Sequence, residues 1–294
     1  MIRVATAGWS YADWEGCVHP KPKPAGYHAL DLLPTVFDGV EINASFYADL
    51  RRQVVEGWLE RTADSGFEFL VKLGGRFTLE RERRFGGPSE LRASLAEFRA
   101  SLGALPDSVR CRALLAQFPL SFRPTERARR YLWTLLEELG GWRVVLELRH
   151  REWYSDALVA ACLERGASLA AIDLPDGPDH PPAGFAGAGP IGYLRLHGRS
   201  GAWFDAKVGR DPKYDYRYSG AEVGELADLA RRIDARAEET HVVTNNHFSG
   251  QAVAAGVELL SALGRPPASL PANWIEAFPD LGRIAPARGQ QALF

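Results

Sequence analysis

Short aliphatic runs alternate with longer amphipathic stretches along most of the chain. Between most runs, apolar residues recur with helical spacing, over residues 53–62, 89–102, 125–139, 156–165, 220–236 and 251–263. This alternation predicts parallel strands joined by helical crossovers, and eight such strands predict one closed barrel. The eight aliphatic runs are Val4–Ala7, Val40–Asn43, Phe67–Lys72, Ala113–Phe118, Val144–Leu148, Ser168–Asp173, Ile191–His197 and His241–Asn245.

The predicted fold class is therefore α/β, a single TIM-type (β/α)8 barrel. The structural alternative, a doubly wound open sheet, would carry a Gly-rich phosphate turn after its first strand, and the chain has AGWSYADWEG there instead. We expect the barrel to span residues 1–264. The last segment, residues 265–294, is rich in proline and predicts a C-terminal tail that is wrapped on the barrel or flexible.

Composition narrows the classes of function. The 294 residues are 46% hydrophobic and 24% charged, which excludes a disordered chain. The formal net charge is -2, so any site for a polyanion must be local. Three cysteines without CxxC spacing, the lack of a signal-peptide pattern and the lack of a bilayer-spanning apolar run predict a cytoplasmic protein with no membrane partner.

Polar residues collect at the C-terminal ends of the predicted strands. Because strand side chains alternate between two faces, the aliphatic positions face the helices and the polar positions face the barrel axis. Barrel enzymes build their active sites at this end, so we favour a functional pocket over a plug of mutually paired charges. The inward polar positions are Glu41, Asn43, Lys72, Gln117, Glu147, Arg149, Asp173, Arg195, His197 and Asn245.

The residue types in this ring suit acid-base chemistry. The predicted catalytic acids and bases are Glu41, Glu147, His197 and Asp173. Metal-ligand residue types are present too, but they show no HxxxH or HExxH spacing and share the ring with three cations, so we predict no metal site. The sequence leaves the cofactor undetermined.

A phosphate site is predicted in the loops after the seventh and eighth strands, HGRSGAWF and NNHFSGQAV. Arg199 offers a charged fork there, and Asn245 and Asn246 offer amide donors. Aromatic rings such as those of Trp9 and Tyr47 would stack on the ligand. The predicted substrate-binding residues are Trp9, Asn43, Tyr47, Lys72, Gln117, Arg149, Arg195, Arg199, Asn245 and Asn246.

Six phrases follow one another in a fixed order: AGWSYADWEG, VEINASFY, LLAQFPLSF, LELRHREWY, YLRLHGR and VVTNNHFSGQAV. Together they resemble the YecE-like family, also called domain of unknown function family 72, over about residues 2–263. The resemblance implies a TIM-type barrel and no particular activity. It departs at His247, where an acidic residue is expected. The family's motif positions here are Gly8, Trp9, Glu41, Asn43, Phe46, Tyr47, Gln117, Pro119, Glu147, Arg149, His150, Arg195, His197, Gly198, Asn245 and Asn246.

The last five residues, QQALF, resemble the Q-x-x-L-F peptide by which bacterial DNA-processing proteins dock on the sliding clamp. A terminal peptide of this kind can insert two apolar side chains into a groove. We predict Gln290, Leu293 and Phe294 as partner-binding residues, the alternative being a tail that folds back onto the barrel.

Two enzyme hypotheses follow. The first is an enzyme of DNA or nucleotide metabolism that acts on a phosphoester, with a phosphate-bearing or nucleic-acid ligand and the sliding clamp as its partner. The second is a small-molecule enzyme that acts on a sugar or sugar phosphate by carboxylate and histidine acid-base chemistry. A non-catalytic binding protein is the third interpretation that the sequence leaves open.

Overall fold

The aliphatic runs lie side by side as parallel strands in the computed structural model, which describes residues 1–80, 84–205 and 207–288. Their spatial order is β6-β5-β4-β3-β2-β1-β9-β8-β7, so the first and last strands along the chain are neighbours. Nine parallel strands form a nearly closed barrel, and the predicted α/β TIM-type fold is confirmed. The strands are β1 (Ile2–Ala7), β2 (Gly39–Ile42), β3 (Glu68–Lys72), β4 (Cys111–Phe118), β5 (Val144–Leu148), β6 (Ser168–Leu169), β7 (Ala171–Asp173), β8 (Ile191–Leu196) and β9 (Glu239–Thr244).

Helices connect the strands, and the six predicted from apolar spacing all form, with ends shifted by at most two residues. In α9 the Ser219 hydroxyl accepts the Glu222 amide and the Glu222 carboxylate accepts the Ser219 amide, so each caps the other. The α-helices are α1 (Ala29–Leu32), α2 (Ala44–Tyr47), α3 (Arg52–Arg61), α4 (Gly75–Thr78), α5 (Pro88–Ser101), α6 (Glu126–Glu138), α7 (Asp156–Leu163), α8 (Arg210–Tyr214), α9 (Gly220–Asp234), α10 (Gln251–Ala262) and α11 (Ala272–Ala277).

The sixth predicted strand, residues 168–173, is divided in two, which corrects the prediction of eight strands. β6 pairs with β5, whereas β7 pairs with β8. Leu169 instead exchanges backbone hydrogen bonds with Ala188, in the connection before β8. At Gly189, where φ is 102°, an added Cβ would lie 2.6 Å from the Ser168 hydroxyl. This glycine-rich connection therefore fills the seam of the barrel, and glycine permits the close approach.

The barrel interior is layered along its axis. Charged residues lie below the middle layer, at the N-terminal strand ends, and above it, at the C-terminal ends. We call Arg3, Glu68, Arg112, Glu239 and His241 the lower cluster. We call Glu41, Glu147, Arg195 and His197 the upper cluster. The middle layer is apolar and contains Ala5, Ala7, Leu70, Ala113, Leu115, Val145, Ala170, Ile191, Tyr193 and Val243.

Residues 265–288 pack beside the barrel. Trp274 of α11 is fully buried, stacks on Phe37 with ring centroids 6.1 Å apart, and donates its indole N–H to the carbonyl of Val18 at 2.8 Å. The predicted partner-binding residues Gln290, Leu293 and Phe294 lie outside the described residues. Within the described part of the chain, every helix is too short or too polar to cross a bilayer.

Candidate active site

Arg195 lies at the centre of the upper cluster and is fully buried. Its Nε and Nη2 donate to Glu41 at 3.0 and 2.7 Å, and its Nη1 donates to Glu147 at 2.9 Å. Longer contacts reach Gln117 Oε1 at 3.5 Å and Asn245 Oδ1 at 3.3 Å. Burial alone would lower the pKa of the guanidinium, but the two carboxylates hold it well above its usual range. Arg195 is therefore a permanent charge whose donors point to protein acceptors.

Glu41 has a second donor in the middle layer. The hydroxyl of Tyr193, itself fully buried, donates to Glu41 Oε2 at 2.7 Å. Burial and the charge of Glu41 raise the pKa of this phenol well above its usual range, so it stays protonated. Both oxygens of Glu41 thus have partners, as a buried carboxylate requires.

Glu147 links Arg195 to two further side chains. Arg149 Nε donates to Glu147 Oε1 at 2.9 Å, and His197 Nε2 lies 3.3 Å from the same oxygen. Burial alone would raise the pKa of Glu147, but Arg195 and His197 hold it well below its usual range. Asn245 Nδ2 lies 2.9 Å from His197 Nδ1, so we assign the ring hydrogen to Nε2. Burial lowers the pKa of His197 to about 3, and the ring is neutral at pH 7.

A cavity of about 770 Å³ opens at the upper end of the barrel. This volume is typical of small-molecule sites, which span roughly 300–1,000 Å³. Strand ends and the residues directly after them supply one part of the polar lining: Asn43, Lys72, Gln117, Arg195 and Asn245. Loops and connecting helices add Ser10, Asp13, His28 and Asp211. Loops and the connecting helices supply aromatic walls: Trp9, Tyr11, Tyr47, Trp58, Tyr214, His247 and Phe248.

Lys72, the last residue of β3, lines this cavity. Its Nζ lies 4.1 Å from the centroid of the Phe46 ring. In the ranges that the structure describes, no carboxylate stands within ion-pairing distance of this nitrogen. Burial lowers the pKa of Lys72 to about 7, and the charge of Arg195 adds to this effect. Both protonation states of the amine are therefore populated at neutral pH.

The aromatic wall is held together by ring stacking. His247 lies between Tyr11 and Tyr214, with ring centroids 4.4 and 4.9 Å apart and nearly parallel planes. Tyr214 belongs to α8 in the long loop after β8, and its ring lies 5.4 Å from that of Trp203. Trp203 in turn packs edge-on against His197 at 5.7 Å. This loop therefore covers one side of the upper cluster.

Asn43 Oδ1 and Arg149 Nη2 are buried near the cavity and have no hydrogen-bond partner among the described residues. Asn43 lines the cavity, and the Arg149 guanidinium lies 5.6 Å from the Trp203 ring centroid. A buried polar atom without a partner costs free energy, so these two atoms lower the stability of the folded site.

The structure brings most of the predicted site residues together. Arg149 contacts the upper cluster through Glu147 but does not line the cavity. Glu41, Glu147, Arg195 and His197, predicted from strand parity, are in mutual contact. The predicted ligand-binding residues that line the cavity are Trp9, Asn43, Tyr47, Lys72, Gln117, Arg195 and Asn245.

Asp173 lies apart from this group, and its predicted place in the ring is wrong. Arg199 Nη2 lies 2.8 Å from Asp173 Oδ1, and Tyr218 donates to Oδ2 at 2.6 Å. Ala170 and Ile172 pack in the middle layer and face the barrel axis, so Asp173 faces the helices. Both faces of this run are apolar, and the hydrophobic pattern therefore does not distinguish the inner face from the outer one.

In the two loops expected to bind phosphate, several of the predicted donors are paired within the protein. Arg199 is paired with Asp173 outside the barrel, and Asn246 Nδ2 donates to the carbonyl of Tyr216 at 2.9 Å. The amide of Ser249, before α10, donates to an Asp13 carboxylate oxygen at 2.5 Å. Arg199 and Asn246 are consequently absent from the described lining of the cavity.

Among the residues that sequence reasoning missed are Tyr11 and Trp58, which line the cavity, and Tyr193, which supports Glu41. Tyr214 belongs to an aromatic loop for which the sequence left open a stacking wall or plain packing of the barrel rim. Tyr193 could have been found, because it shares the strand parity of Arg195 in β8. Tyr11, Trp58 and Tyr214 come from loops and helices, where no period predicts the direction of a side chain toward a strand end.

The donor set of the cavity suits an organic ligand. Arg195 lies between the carboxylates of Glu41 and Glu147 and engages both. Over the described residues, no group of three or more His, Cys, Asp and Glu side chains is placed to hold a metal ion. Lys72 and Asn43 offer a cationic donor and an unused acceptor to a bound molecule.

Comparison with known proteins gives consistent relatives. A family model described as "Protein of unknown function DUF72" matches residues 3–277. UPF0759 protein YunF of Bacillus subtilis (strain 168) is 27% identical over 275 residues, which cover 90% of this chain and 95% of that protein.

Solved structures agree. A DUF72 family protein from Thermotoga maritima MSB8 has a TM-score of 0.76 and 26% identity, covering 90% of this chain and 99% of that one. A DUF72 family protein from Enterococcus faecalis V583, at 22% identity and a TM-score of 0.76, shares the fold over 90% of this chain and 96% of that one. The resemblance to the YecE-like family is confirmed, and the chain belongs to the family described as protein of unknown function DUF72.

Proposed function

We propose that this chain is an enzyme that binds a small hydroxylated substrate carrying a phosphate or similar anionic group, with Lys72 as the reacting side chain. The observation that carries the proposal is Lys72 itself. Its amine borders the cavity, has no carboxylate partner among the described residues, and has a pKa lowered by burial to about 7. An amine with this pKa can give or take a proton at neutral pH.

The charge around Lys72 offers a place for an anionic group. Arg195 lines the cavity but pairs with Glu41 and Glu147, whereas Lys72 lines it without a carboxylate partner among the described residues. The carboxyl groups of Asp13 and Asp211 also line the cavity, so the anionic group of a substrate would bind at Lys72. It would pair with the ammonium form and raise the pKa of Lys72.

The lining favours a hydroxylated molecule of sugar size. Asn43 and Gln117 line the cavity with side-chain amides, a group that exchanges hydrogen bonds with hydroxyl groups. Trp9 and Tyr47 line the cavity with aromatic rings, and such faces pack against the C–H faces of sugar rings. The volume of about 770 Å³ fits a small molecule with its phosphate.

The upper cluster takes a positioning role in this proposal, which differs from the acid-base roles predicted for its members. Both carboxylates are ion-paired with Arg195, and the pKa of Glu147 lies well below its usual range. The pKa of His197 is about 3, far from neutrality. Groups with such pKa values transfer protons inefficiently at pH 7. The cluster instead fixes Arg195 and sets the charge around Lys72.

Calorimetry with a panel of aldose and ketose phosphates, each beside its unphosphorylated sugar, tests the proposal. We expect at least one phosphorylated compound to bind about tenfold or more tightly than its sugar, as the loss of one charged contact implies. Lys72→Met should weaken that binding, and Lys72→Arg, which keeps the charge, should weaken it less. Equal affinity for sugar and sugar phosphate, or no binding across the panel, would contradict the proposal.

The DNA hypothesis and the sliding-clamp interaction stay predictions, since Gln290, Leu293 and Phe294 lie outside the described residues. Their test compares full-length protein with a chain ending at Gly289 for binding to a bacterial sliding clamp. Binding that is lost on truncation would support them, and equal absence of binding would remove their main support.

A further inference from the structure

We propose that Lys72 is a nucleophile that forms an imine with the carbonyl carbon of an aldehyde or ketone substrate. This inference rests on the proposed function, because it uses the same cavity and the same amine. It adds the chemical class of the substrate: a carbonyl compound that also carries hydroxyl and anionic groups.

The first observation is the choice of lysine at this position. Lysine accounts for five of the 35 basic residues of the chain, and arginine for the other 30. The two cations next to Lys72 are arginines, Arg149 and Arg195, and the permanent cations of the lower cluster are arginines too. Arginine binds carboxylates with a two-pronged fork and never loses its proton in proteins. A lysine among these arginines therefore indicates a function for which a neutral amine is needed.

The second observation is that the carboxylates nearby are already occupied. Glu41 and Glu147 both pair with Arg195, at 2.7 and 2.9 Å. Lys72 consequently has no carboxylate of its own among the residues that the structure describes, and on one side it packs over the Phe46 ring. The charged form of its amine is not anchored by an ion pair, and the neutral form is accessible from the cavity.

The proposed reaction balances without a further reagent. The neutral amine attacks the carbonyl carbon, and the proton released by nitrogen passes to the carbonyl oxygen, which gives a carbinolamine. Loss of its hydroxyl group as water, with uptake of one proton from solvent, gives a protonated imine. Overall, an ammonium group and a carbonyl compound yield a protonated imine and one water. Both nitrogen species carry one positive charge, so the balance with the upper cluster is unchanged.

The protonated imine also determines what the substrate can undergo. It draws electrons from the carbon next to the former carbonyl carbon, and this weakens a C–H or C–C bond there. The structure thus assigns a substrate with such a bond beside its carbonyl group.

A first experiment needs no substrate. The full-length protein is treated at pH 7 with limiting formaldehyde and cyanoborohydride, and the methylation rate of each of the five lysines is measured by peptide mapping. We expect Lys72 to react about tenfold or more faster than Lys23, an exposed lysine paired with Glu15 at 2.7 Å, because much more of its amine is neutral. Lys72→Arg should leave the labelling of the other lysines unchanged. Slower labelling of Lys72 than of Lys23 would overturn the proposal.

A second experiment separates this inference from the proposed function. Dihydroxyacetone phosphate and ketose phosphates of five and six carbons are added with borohydride, beside glycerol 3-phosphate and sugar alcohol phosphates, which carry no carbonyl group. A reduced adduct on Lys72, absent from Lys72→Arg, supports the imine. Calorimetric binding of either set without any adduct would overturn the imine and keep the proposed function. Absence of both binding and adduct would overturn both.

Discussion

The two ends of the barrel interior each carry a cluster of buried charges, and the two clusters pair them differently. In the lower cluster Glu239 accepts hydrogen bonds from Arg112, and Arg143 closes an ion pair with it from outside. Arg3 Nε lies 2.9 Å from Glu68. Every permanent cation in this group is an arginine that contacts a carboxylate.

The upper cluster has the same design around Arg195, but one cation is left over. Lys72 lies beside the cluster, faces a cavity of about 770 Å³, and has no carboxylate partner in the described chain. At the lower end, a smaller cavity of about 310 Å³ reaches the cluster at Arg3 and Glu68, which pair with each other. Each arginine of the lower cluster therefore has a carboxylate in contact, whereas Lys72 at the upper end has none among the described residues.

The largest effect is expected from replacing Arg195, which pairs with both carboxylates of the upper cluster. Arg195→Met leaves Glu41 and Glu147 buried without their main partner, and we expect the free energy of unfolding to fall by about 3–5 kcal/mol. Urea denaturation at pH 7 measures this. The matched control is Arg231→Met, whose exposed pair with Asp228 should cost less than about 1 kcal/mol. A loss at Arg195 as small as that of the control would contradict the account.

The lower cluster should give the main acid dependence of stability. Burial alone would raise the pKa of Glu239, but the His241 ring, 3.7 Å away, and the hydrogen bonds from Arg112 lower it to about 2. Stability from this group is present above the unfolded pKa near 4.5 and is lost as the pH falls toward 2, by about 3 kcal/mol. Urea denaturation between pH 7 and pH 3 should therefore show a shallower decline in Glu239→Gln than in the wild type.

Glu68, in the same cluster, should have the opposite effect on how stability depends on pH. Burial raises its pKa, so the folded state takes up a proton before the unfolded state does, and this contributes stability as the pH falls. Glu68→Gln should make the acid decline steeper. If the stability of both variants falls with pH as steeply as that of the wild type, neither carboxylate has the pKa shift described here.

Lys72 should give an alkaline dependence instead. Its folded pKa is about 7 and its ordinary value is 10.5, so between these pH values the unfolded chain binds more protons and stability rises with pH. We expect the wild type to gain roughly 2 kcal/mol between pH 7 and pH 9 relative to Lys72→Met. Denaturation curves of both proteins across this range measure the difference, and identical pH profiles would count against a lowered pKa.

A smaller effect is expected from the hydrogen bond below the upper cluster. Tyr193→Phe removes the phenol that donates to Glu41 at 2.7 Å, while Arg195 continues to hold that carboxylate. The free energy of unfolding should fall by about 1–2 kcal/mol. Chemical denaturation tests this, with Tyr27→Phe, whose hydroxyl contacts His19 nearer the surface, as the comparison. A neutral Tyr193→Phe would mean that Glu41 does not need its second donor.

The smallest expected effect concerns the cavity wall. Tyr214→Leu removes the ring that stacks on His247 at 4.9 Å and lines the cavity. We expect stability to change little and ligand affinity to fall about 2- to 10-fold, the value of one aromatic contact. Calorimetry with whichever sugar phosphate binds the wild type measures the loss. Unchanged affinity would place the ligand away from this wall.

Strand periodicity accounts for most of what could be predicted from sequence. It brought Glu41, Glu147 and Arg195 to one point, because each alternates with aliphatic neighbours that must face the helices. It failed at Asp173, where apolar residues occupy both faces of the run and a loop interrupts the strand pairing. The alternation of side chains along a strand predicts which face of the sheet a residue occupies, but not which side chain it pairs with.

Other features needed the three-dimensional structure. Lys72 lacks a carboxylate partner because Arg195 donates to both nearby carboxylates, Glu41 and Glu147. Which cation a carboxylate contacts depends on distances of tenths of an ångström, and the sequence does not contain these. The stack of Tyr11, Tyr214 and His247 joins the segments after β1, β8 and β9, and no local pattern predicts their contact. The ion pairs of the lower cluster could not be predicted either, because they depend on which strand ends face one another across the barrel.

The most direct test of the central claim is the titration of the Lys72 amine. In protein labelled with ¹³C at lysine Cε, the five lysines give few signals, and Lys72→Arg identifies the one that belongs to Lys72. We expect this signal to titrate near pH 7 in the free protein and at higher pH when an anionic ligand is bound. A Lys72 signal that stays in its protonated position up to pH 10 would contradict the account, because Lys72 would then be an ordinary structural cation.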